Sequence, residues 1–273
     1  MHISYITATQ WNEPRLAFIR EGEKSLAAQT ETDIEWIIAS VNPPPGCLDG
    51  LVETQHVLVP RSLGIRTCVG HLLNEGMKVA TGEYLAFMDD DNRKLPNFGE
   101  AMTWFIAGQG MQAAYSFARV IDGDGRVIGD HHVSTTEYPL ALHQPGIWFN
   151  DELVVKRQTM EAVGGFDVDI TAGEDYDMAL RLCRDAGVGR LGLQLVDVRV
   201  HGDQWTQKDN VPELQAALHR ILAKHGGLND KCPICQANLD GLPYAQTHIA
   251  WLDSRFQRFC THPASHPTEG PAA

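Results

Sequence analysis

In the first ninety residues, four short apolar runs alternate with amphipathic or turn-rich segments, and the fourth run ends abruptly on three consecutive aspartates. Residues 3–8 have a strand pattern. Asn12-Glu13-Pro14 opens a helix with a capping residue and a proline in its first turn. That helix turns Leu16, Ile19, Leu26 and Ala27 toward a core and should end near Gln29. Residues 34–39 form a second buried strand containing Trp36, and Pro43-Pro44-Pro45-Gly46 can be neither helix nor central strand. Residues 56–59 are a third strand, 67–80 a helix ended by Gly82, and 84–88 a fourth strand running into Asp89-Asp90-Asp91. Such alternation predicts an α/β fold, a mostly parallel central sheet flanked by helices. Ligands of these sheets bind beyond the carboxyl ends of the strands, where the aspartates fall.

The second half is more mixed. Residues 112–120 read as a strand, and Asp122-Gly123-Asp124-Gly125 is a hairpin turn before a strand at 126–128. A short strand at 153–155 leads into a helix from about Arg157 that stops at Gly164-Gly165. Residues 174–186 are helical with Met178, Leu180 and Leu182 apolar, and 193–200 form a strand ending at His201. A last helix spans about 212–224, and the final dozen residues, rich in Pro, Thr and Ala, read as a frayed tail. There are no internal repeats.

At 273 residues the chain is long enough for one large core without staples. Its net charge of −13, from 35 acids against 22 bases, repels phosphate backbones and argues against nucleic acid as a partner. No stretch approaches the roughly 18 apolar residues of a membrane span. Met1-His2-Ile3-Ser4 carries no basic leader, so a cytoplasmic chain is expected. Six cysteines are too few for a disulfide scaffold and read mostly as reduced thiols.

Three groups of residues carry chemistry. Adjacent aspartates repel one another unless a cation is present, so Asp89-Asp90-Asp91-Asn92 points to Mg²⁺ or Mn²⁺ held by oxygen ligands and shared with substrate phosphates. The same triplet also reads as a solvated acidic turn. Glu174-Asp175-Tyr176-Asp177 opens a helix, where carboxylates favour the positive end of the dipole. A carboxylate there is equally placed to take a proton from an acceptor hydroxyl. His201 closes its strand either as a packing residue or as a metal ligand through a neutral imidazole nitrogen.

Taken in order, these segments resemble family 2 glycosyltransferases of the GT-A fold. The match runs from Ile3-Ser4-Tyr5-Ile6-Thr7-Ala8-Thr9 and Asn12 through Ser25-Leu26-Ala27-Ala28-Gln29-Thr30 and Glu35-Trp36-Ile37-Ile38. It continues through Asn74-Glu75-Gly76 and Ala80-Thr81-Gly82-Glu83-Tyr84 to the Asp89-Asp90-Asp91 run, which stands for the family's DxD motif. Val163-Gly164-Gly165-Phe166-Asp167 and the helix opened by Glu174-Asp175 complete it, so the resemblance covers about residues 3 to 201. It implies transfer of a sugar, with inversion, from a nucleotide sugar (a UDP-sugar) to an acceptor hydroxyl. By the same resemblance Thr7, Ala8, Thr9, Asn12, Asn74, Asp89 and Asp90 line the nucleotide-sugar site. Asp89, Asp91 and His201 meet the metal, Asp175 is the general base, and Glu174 orients substrate. Residues 1–205 would form the GT-A domain, with 1–120 the donor and metal half and 121–205 the acceptor and base half.

The sequence departs from the family at three points. Ala39-Ser40-Val41-Asn42 stands where an acidic pair reads the nucleobase, leaving Ser40 or Asn42 as substitutes. Leu73 replaces an arginine, a phosphate contact that Arg66 would have to supply. No Gln-x-x-Arg-Trp motif follows, which argues against a processive membrane synthase.

Residues 206–273 are expected to be a helical extension with a flexible tail. Trp148, Phe149 and Trp205 read either as acceptor-stacking rings or as core aromatics. Cys232-Pro233-Ile234-Cys235 has the spacing of half a zinc knuckle. Cys260 and His262, or His248, would complete a structural zinc site; otherwise the pair is a set of free thiols. Two other functions compete with the transferase: a nucleotide-sugar binder without turnover, and a sugar nucleotidyltransferase. The second lacks its Gly-rich cationic loop, since Thr7-Ala8-Thr9-Gln10-Trp11-Asn12 holds neither glycine nor cation.

Overall fold

The structure is a computed structural model that describes residues 1–31, 33–60, 68–132, 136, 150–202, 216–217, 220–221 and 224–225. The described strands form one nine-stranded sheet in the order β3-β2-β1-β4-β8-β6-β9-β5, with β7 added to β6. The donor half is parallel. Strands β1 (Ile3–Thr9), β2 (Ile34–Ser40), β3 (Thr54–Leu58) and β4 (Tyr84–Phe87) run side by side. Their apolar runs are nearly continuous because β1, β2 and β4 are covered on both faces.

The second half mixes directions. β8 (Leu153–Lys156) lies antiparallel to both β4 and β6 (Ala113–Ile121), while β9 (Val188–Arg199) runs parallel to β6. The short β5 (Arg93–Lys94) pairs with β9, so the chain just past the aspartates is tied to the strand that ends beside His201. The expected hairpin forms between β6 and β7 (Val127–His132), with Gly125 at φ +82° in the turn.

Helices cover both faces. On one side α1 (Glu13–Ala27) and α3 (Phe98–Gln109) close a core around Tyr5, Trp36, Phe98 and Met102. On the other, α2 (Val69–Val79), α4 (Arg157–Ala162) and α5 (Glu174–Asp185) close a core around Phe87, Tyr115, Phe166 and Leu180. Two sequence expectations need correction. Ala27 is exposed, so the inward stripe of α1 is narrower than predicted. The sequence reading passes over α3, whose residues FGEAMTWFIAGQ are apolar on most sides and show no clean period; Gly110, in a left-handed conformation, ends it. Of the predicted last helix, the described residues Ala216, Ala217, Arg220, Ile221 and Lys224 are helical.

Candidate active site

The buried end of β4 delivers the aspartates to a bend where each takes a different environment. Asp90 turns inward: its carboxylate accepts from the Thr9 hydroxyl at 2.6 Å and from the Arg15 guanidinium at 2.5 Å. Arg15 also stands 3.4 Å from Asp91. Burial works against the Arg15 charge, but Asp90, Asp91 and Asp89 outweigh it and hold its pKa up. Asp89 is open to solvent on one side and ringed by protein on the others. That desolvation, then repulsion from Asp151, Asp91 and Asp90, raises its pKa well above the usual carboxylate range.

Asp91 is met from the end of β9: its Oδ2 lies 3.0 Å from His201 Nε2. The His201 ring packs on Phe18 of α1, centroids 5.1 Å apart. Among the described residues no group of three or more His, Cys, Asp or Glu side chains is arranged to hold a metal ion, and the candidate ligands that meet are the pair Asp91 and His201. The pair nevertheless fits a hard cation. Its 3.0 Å spacing is that of neighbouring ligands on an octahedral ion with bonds of about 2.1 Å. Two protein ligands plus substrate oxygens is the usual arrangement for Mg²⁺.

The second acidic group starts α5. Gly173, at φ +69°, is the N-cap, a left-handed turn that swings Glu174 and Asp175 onto the first helical turn. Gly70 of α2 packs against Glu174; a Cβ there would meet the Phe166 Cβ at 3.0 Å and Glu174 at 3.5 Å, so the approach requires glycine. The Asp175 carboxylate accepts from the Tyr176 amide at 2.7 Å. Among the described residues no cation is paired with it. Desolvation and then Glu174 raise its pKa well above the usual range, with Glu152 adding to the rise. Asp177, on the same turn, is the reverse case. It is buried but receives His225 at 3.0 Å, Lys224 at 2.8 Å and Arg181 at 2.8 Å. These outweigh its desolvation and push its pKa down.

Between the two acidic groups lies a 3-10 turn, Asn150–Glu152, that the sequence reading overlooks. Asp151 and Glu152 are both fully buried. Asp151 accepts the Asp89 amide at 2.9 Å, and Glu152 pairs with His131 Nδ1 at 2.6 Å. The buried Lys94 ammonium donates to the Asp151 carbonyl and stacks over Phe98. The only sequence hint is an acidic dipeptide directly ahead of an apolar strand, mirroring the triplet that follows β4.

Other expected site residues fall elsewhere. Thr7 is fully buried, its hydroxyl accepting from the Trp36 indole at 2.9 Å. Thr9 is committed to Asp90. Asn74 uses both ends of its amide on the Phe166 backbone, at 2.8 and 2.9 Å, tying α2 to the Gly164-Gly165 turn. Ser40 donates to the Asn42 carbonyl within the loop after β2, and Asn42 donates to the Gln10 carbonyl, holding that loop against the loop after β1. Ala8 is half-buried at the end of β1, and Asn12, at the N-cap of α1, is exposed and makes no side-chain capping bond. Arg66, Trp148, Phe149, Trp205, Cys232, Cys235, His248, Cys260 and His262 lie outside the described residues. A cavity of about 380 Å³ lined by Trp11, Cys47, Leu48, Val52 and His56 flanks the β1–α1 turn but touches none of the acidic groups, so it is not the reaction centre.

The model of the family described as "Glycosyl transferase family 2" matches residues 9–156, from the end of β1 through the Asn150–Glu152 turn and β8. The chain belongs to glycosyl transferase family 2. Among curated proteins there is no match. Solved structures of S. aureus TarS share the fold. One covers 91% of this chain and 44% of its own at 15% identity and a TM-score of 0.62, so this chain spans less than half of that protein. A TarS 1-349 structure in complex with UDP gives 15% identity, 88% and 69% coverage and a TM-score of 0.63. Another in complex with UDP-GlcNAc gives 13%, 88% and 70%, and 0.64. The GT-A architecture expected from the sequence is therefore the observed one. Among the described residues no helix is long and apolar enough to cross a membrane.

Proposed function

We propose that this chain transfers a sugar from a UDP-sugar to an acceptor hydroxyl with inversion, using one divalent cation and Asp175 as general base. The observation that carries this reading is the pairing of Asp91 with His201 at the strand end, in the same fold as an Asp175 whose pKa is raised by desolvation and by Glu174 and which has no cationic partner among the described residues. Asp91 and His201 would hold Mg²⁺ or Mn²⁺, with Asp89 beside them toward the ribose. When bound, the ion supplies positive charge against the departing diphosphate. Asp175 takes the proton of the acceptor hydroxyl as the new glycosidic bond forms, and Glu174 keeps its proton affinity high. UDP as the nucleotide is supported by the UDP and UDP-GlcNAc complexes of TarS, which has the same fold.

In this reading the donor half would be 1–120 and the acceptor half 121–205, with β8 of the second lying between β4 and β6. Of the 206–273 segment, the described Lys224 and His225 meet Asp177. The test is release of UDP from a panel of UDP-sugars, UDP-GlcNAc among them, with Mn²⁺ and with water or simple sugars as acceptor. Turnover by the native chain and its loss in Asp175→Asn is the expected result. Unchanged turnover in Asp175→Asn would remove that residue from the role.

A further inference from the structure

The buried turn Asn150–Glu152 is far in sequence from the metal pair, yet its contacts converge on the segment that carries Asp91. The Asp151 carboxylate receives the Asp89 amide at 2.9 Å, at the start of the bend that Asn92 ends. Asn92 Oδ1 in turn accepts the Arg199 amide at 2.7 Å, and Arg199 Nε donates to the Asp91 carbonyl at 2.9 Å. Arg199 is fully buried, lies over Phe18 at 4.3 Å, and precedes His201 by two residues. Asp151 is thus one end of a hydrogen-bonded bracket spanning the strand ends that present the two candidate metal ligands.

We infer that Asp151 is a positioning residue that sets the Asp89–Asn92 bend, and through Asn92 and Arg199 its register with His201, for metal-dependent donor binding. The inference rests on the proposed metal and UDP-sugar reading. Physically, a bend of acidic residues tends to splay apart by mutual repulsion. Fixing its first amide to a buried carboxylate and its last side chain to the Arg199 amide removes that freedom before the ion arrives. Outer groups that orient metal ligands typically account for about 10- to 100-fold in affinity. Lys94, donating to the Asp151 carbonyl, holds the bracket's own end in place.

The experiment is calorimetric titration of UDP with and without Mn²⁺ into the full chain and into Asp151→Ala, Asp151→Asn and Asn92→Ala, each with a thermal melt. The native chain should bind UDP more tightly with Mn²⁺. Asp151→Ala should lose about 10- to 100-fold of that metal-dependent affinity and none of the metal-free affinity. Asp151→Asn, which keeps an oxygen for the Asp89 amide, should stay close to native. If Asp151→Ala does not fold, Asn92→Ala carries the test, with a loss in the same direction. Native metal-dependent binding in the folded alanine variants would overturn the inference, as would equal losses in Asp151→Asn and Asp151→Ala. A native chain that binds no UDP under either condition would instead overturn the donor reading beneath it.

Discussion

The acidic strand end and the acidic helix start carry similar residues and treat them in opposite ways. At the end of β4, Asp90 and Asp91 are faced by Arg15 and His201, and the bend is laced to Asp151 and Arg199. At the start of α5, Asp175 is repelled by Glu174 and Glu152, and among the described residues no cation is paired with it. The first arrangement suits a place where positive charge belongs; the second keeps a carboxylate eager for a proton. Two residues on, Asp177 shows that the helix start can be neutralised: Lys224, His225 and Arg181 all reach it.

The largest expected effect comes from breaking the second arrangement. Asp175→Asn should lower the transfer rate by about 10² to 10⁴ while UDP binding persists. The folded-state pKa of Asp175 is raised, so this residue favours the fold at pH below its unfolded value, and that contribution is lost as pH rises through the folded value. The asparagine variant should therefore melt higher than native at neutral pH; an equal or lower melting temperature would contradict the raised pKa.

Next is Arg15→Met, which removes the cation that compensates Asp90 and Asp91. Stripping one partner from a buried ion pair costs about 3–5 kcal/mol. With the Arg15 side chain 20% exposed, about 2–3 kcal/mol is expected after screening. Mn²⁺ should return part of it, so the metal-induced rise in melting temperature should exceed that of the native chain. Equal shifts would show that Arg15 does not stand in for cation charge.

The contrast along α5 sharpens with pH. Asp177→Asn should cost about 1–2 kcal/mol at neutral pH, since asparagine still accepts hydrogen bonds but loses the charge. The folded pKa of Asp177 is depressed, so its contribution is present above the unfolded value of about 4 and is lost as pH falls through the folded value. Melting curves of native and variant should converge in acid. A gap that keeps its full neutral-pH size down to pH 2 would mean that packing, not charge, holds Lys224 and His225 on the helix.

The smallest effect is a displacement of the pH profile. Glu174→Gln removes a repulsion that raises the Asp175 pKa, so the acidic limb of kcat/KM should move to lower pH. An unmoved limb would assign it to another group.

Much of this was legible in the sequence where one local rule dominates. β1, β2 and β4 announce themselves by apolar runs, the β6–β7 turn by Asp122-Gly123-Asp124-Gly125, and the α5 start by glycine followed by acids. Asp91, His201 and Asp175 stand out as candidates in the sequence because each sits at an element's end, where chemistry is usually exposed. The bracket does not. Asp151, Glu152, Lys94 and Arg199 are charged residues buried almost completely, against every compositional expectation, and it takes the placement of β8 between β4 and β6 to bring Asp151 and Glu152 to the bend that Lys94 and Arg199 already flank. Thr7 and Asn74 illustrate the converse. Their positions match nucleotide contacts by resemblance, while the fold commits their polar atoms to Trp36 and Phe166.

The central claim is that the strand-end carboxylates and His201 hold a cation for a nucleotide donor. Calorimetric titration of UDP, alongside the other nucleoside diphosphates, with and without Mn²⁺, tests it most directly. The account predicts binding of UDP that tightens with the metal and loses that gain in Asp91→Ala. UDP binding that ignores both Mn²⁺ and the loss of Asp91, or no nucleotide binding at all, would contradict it.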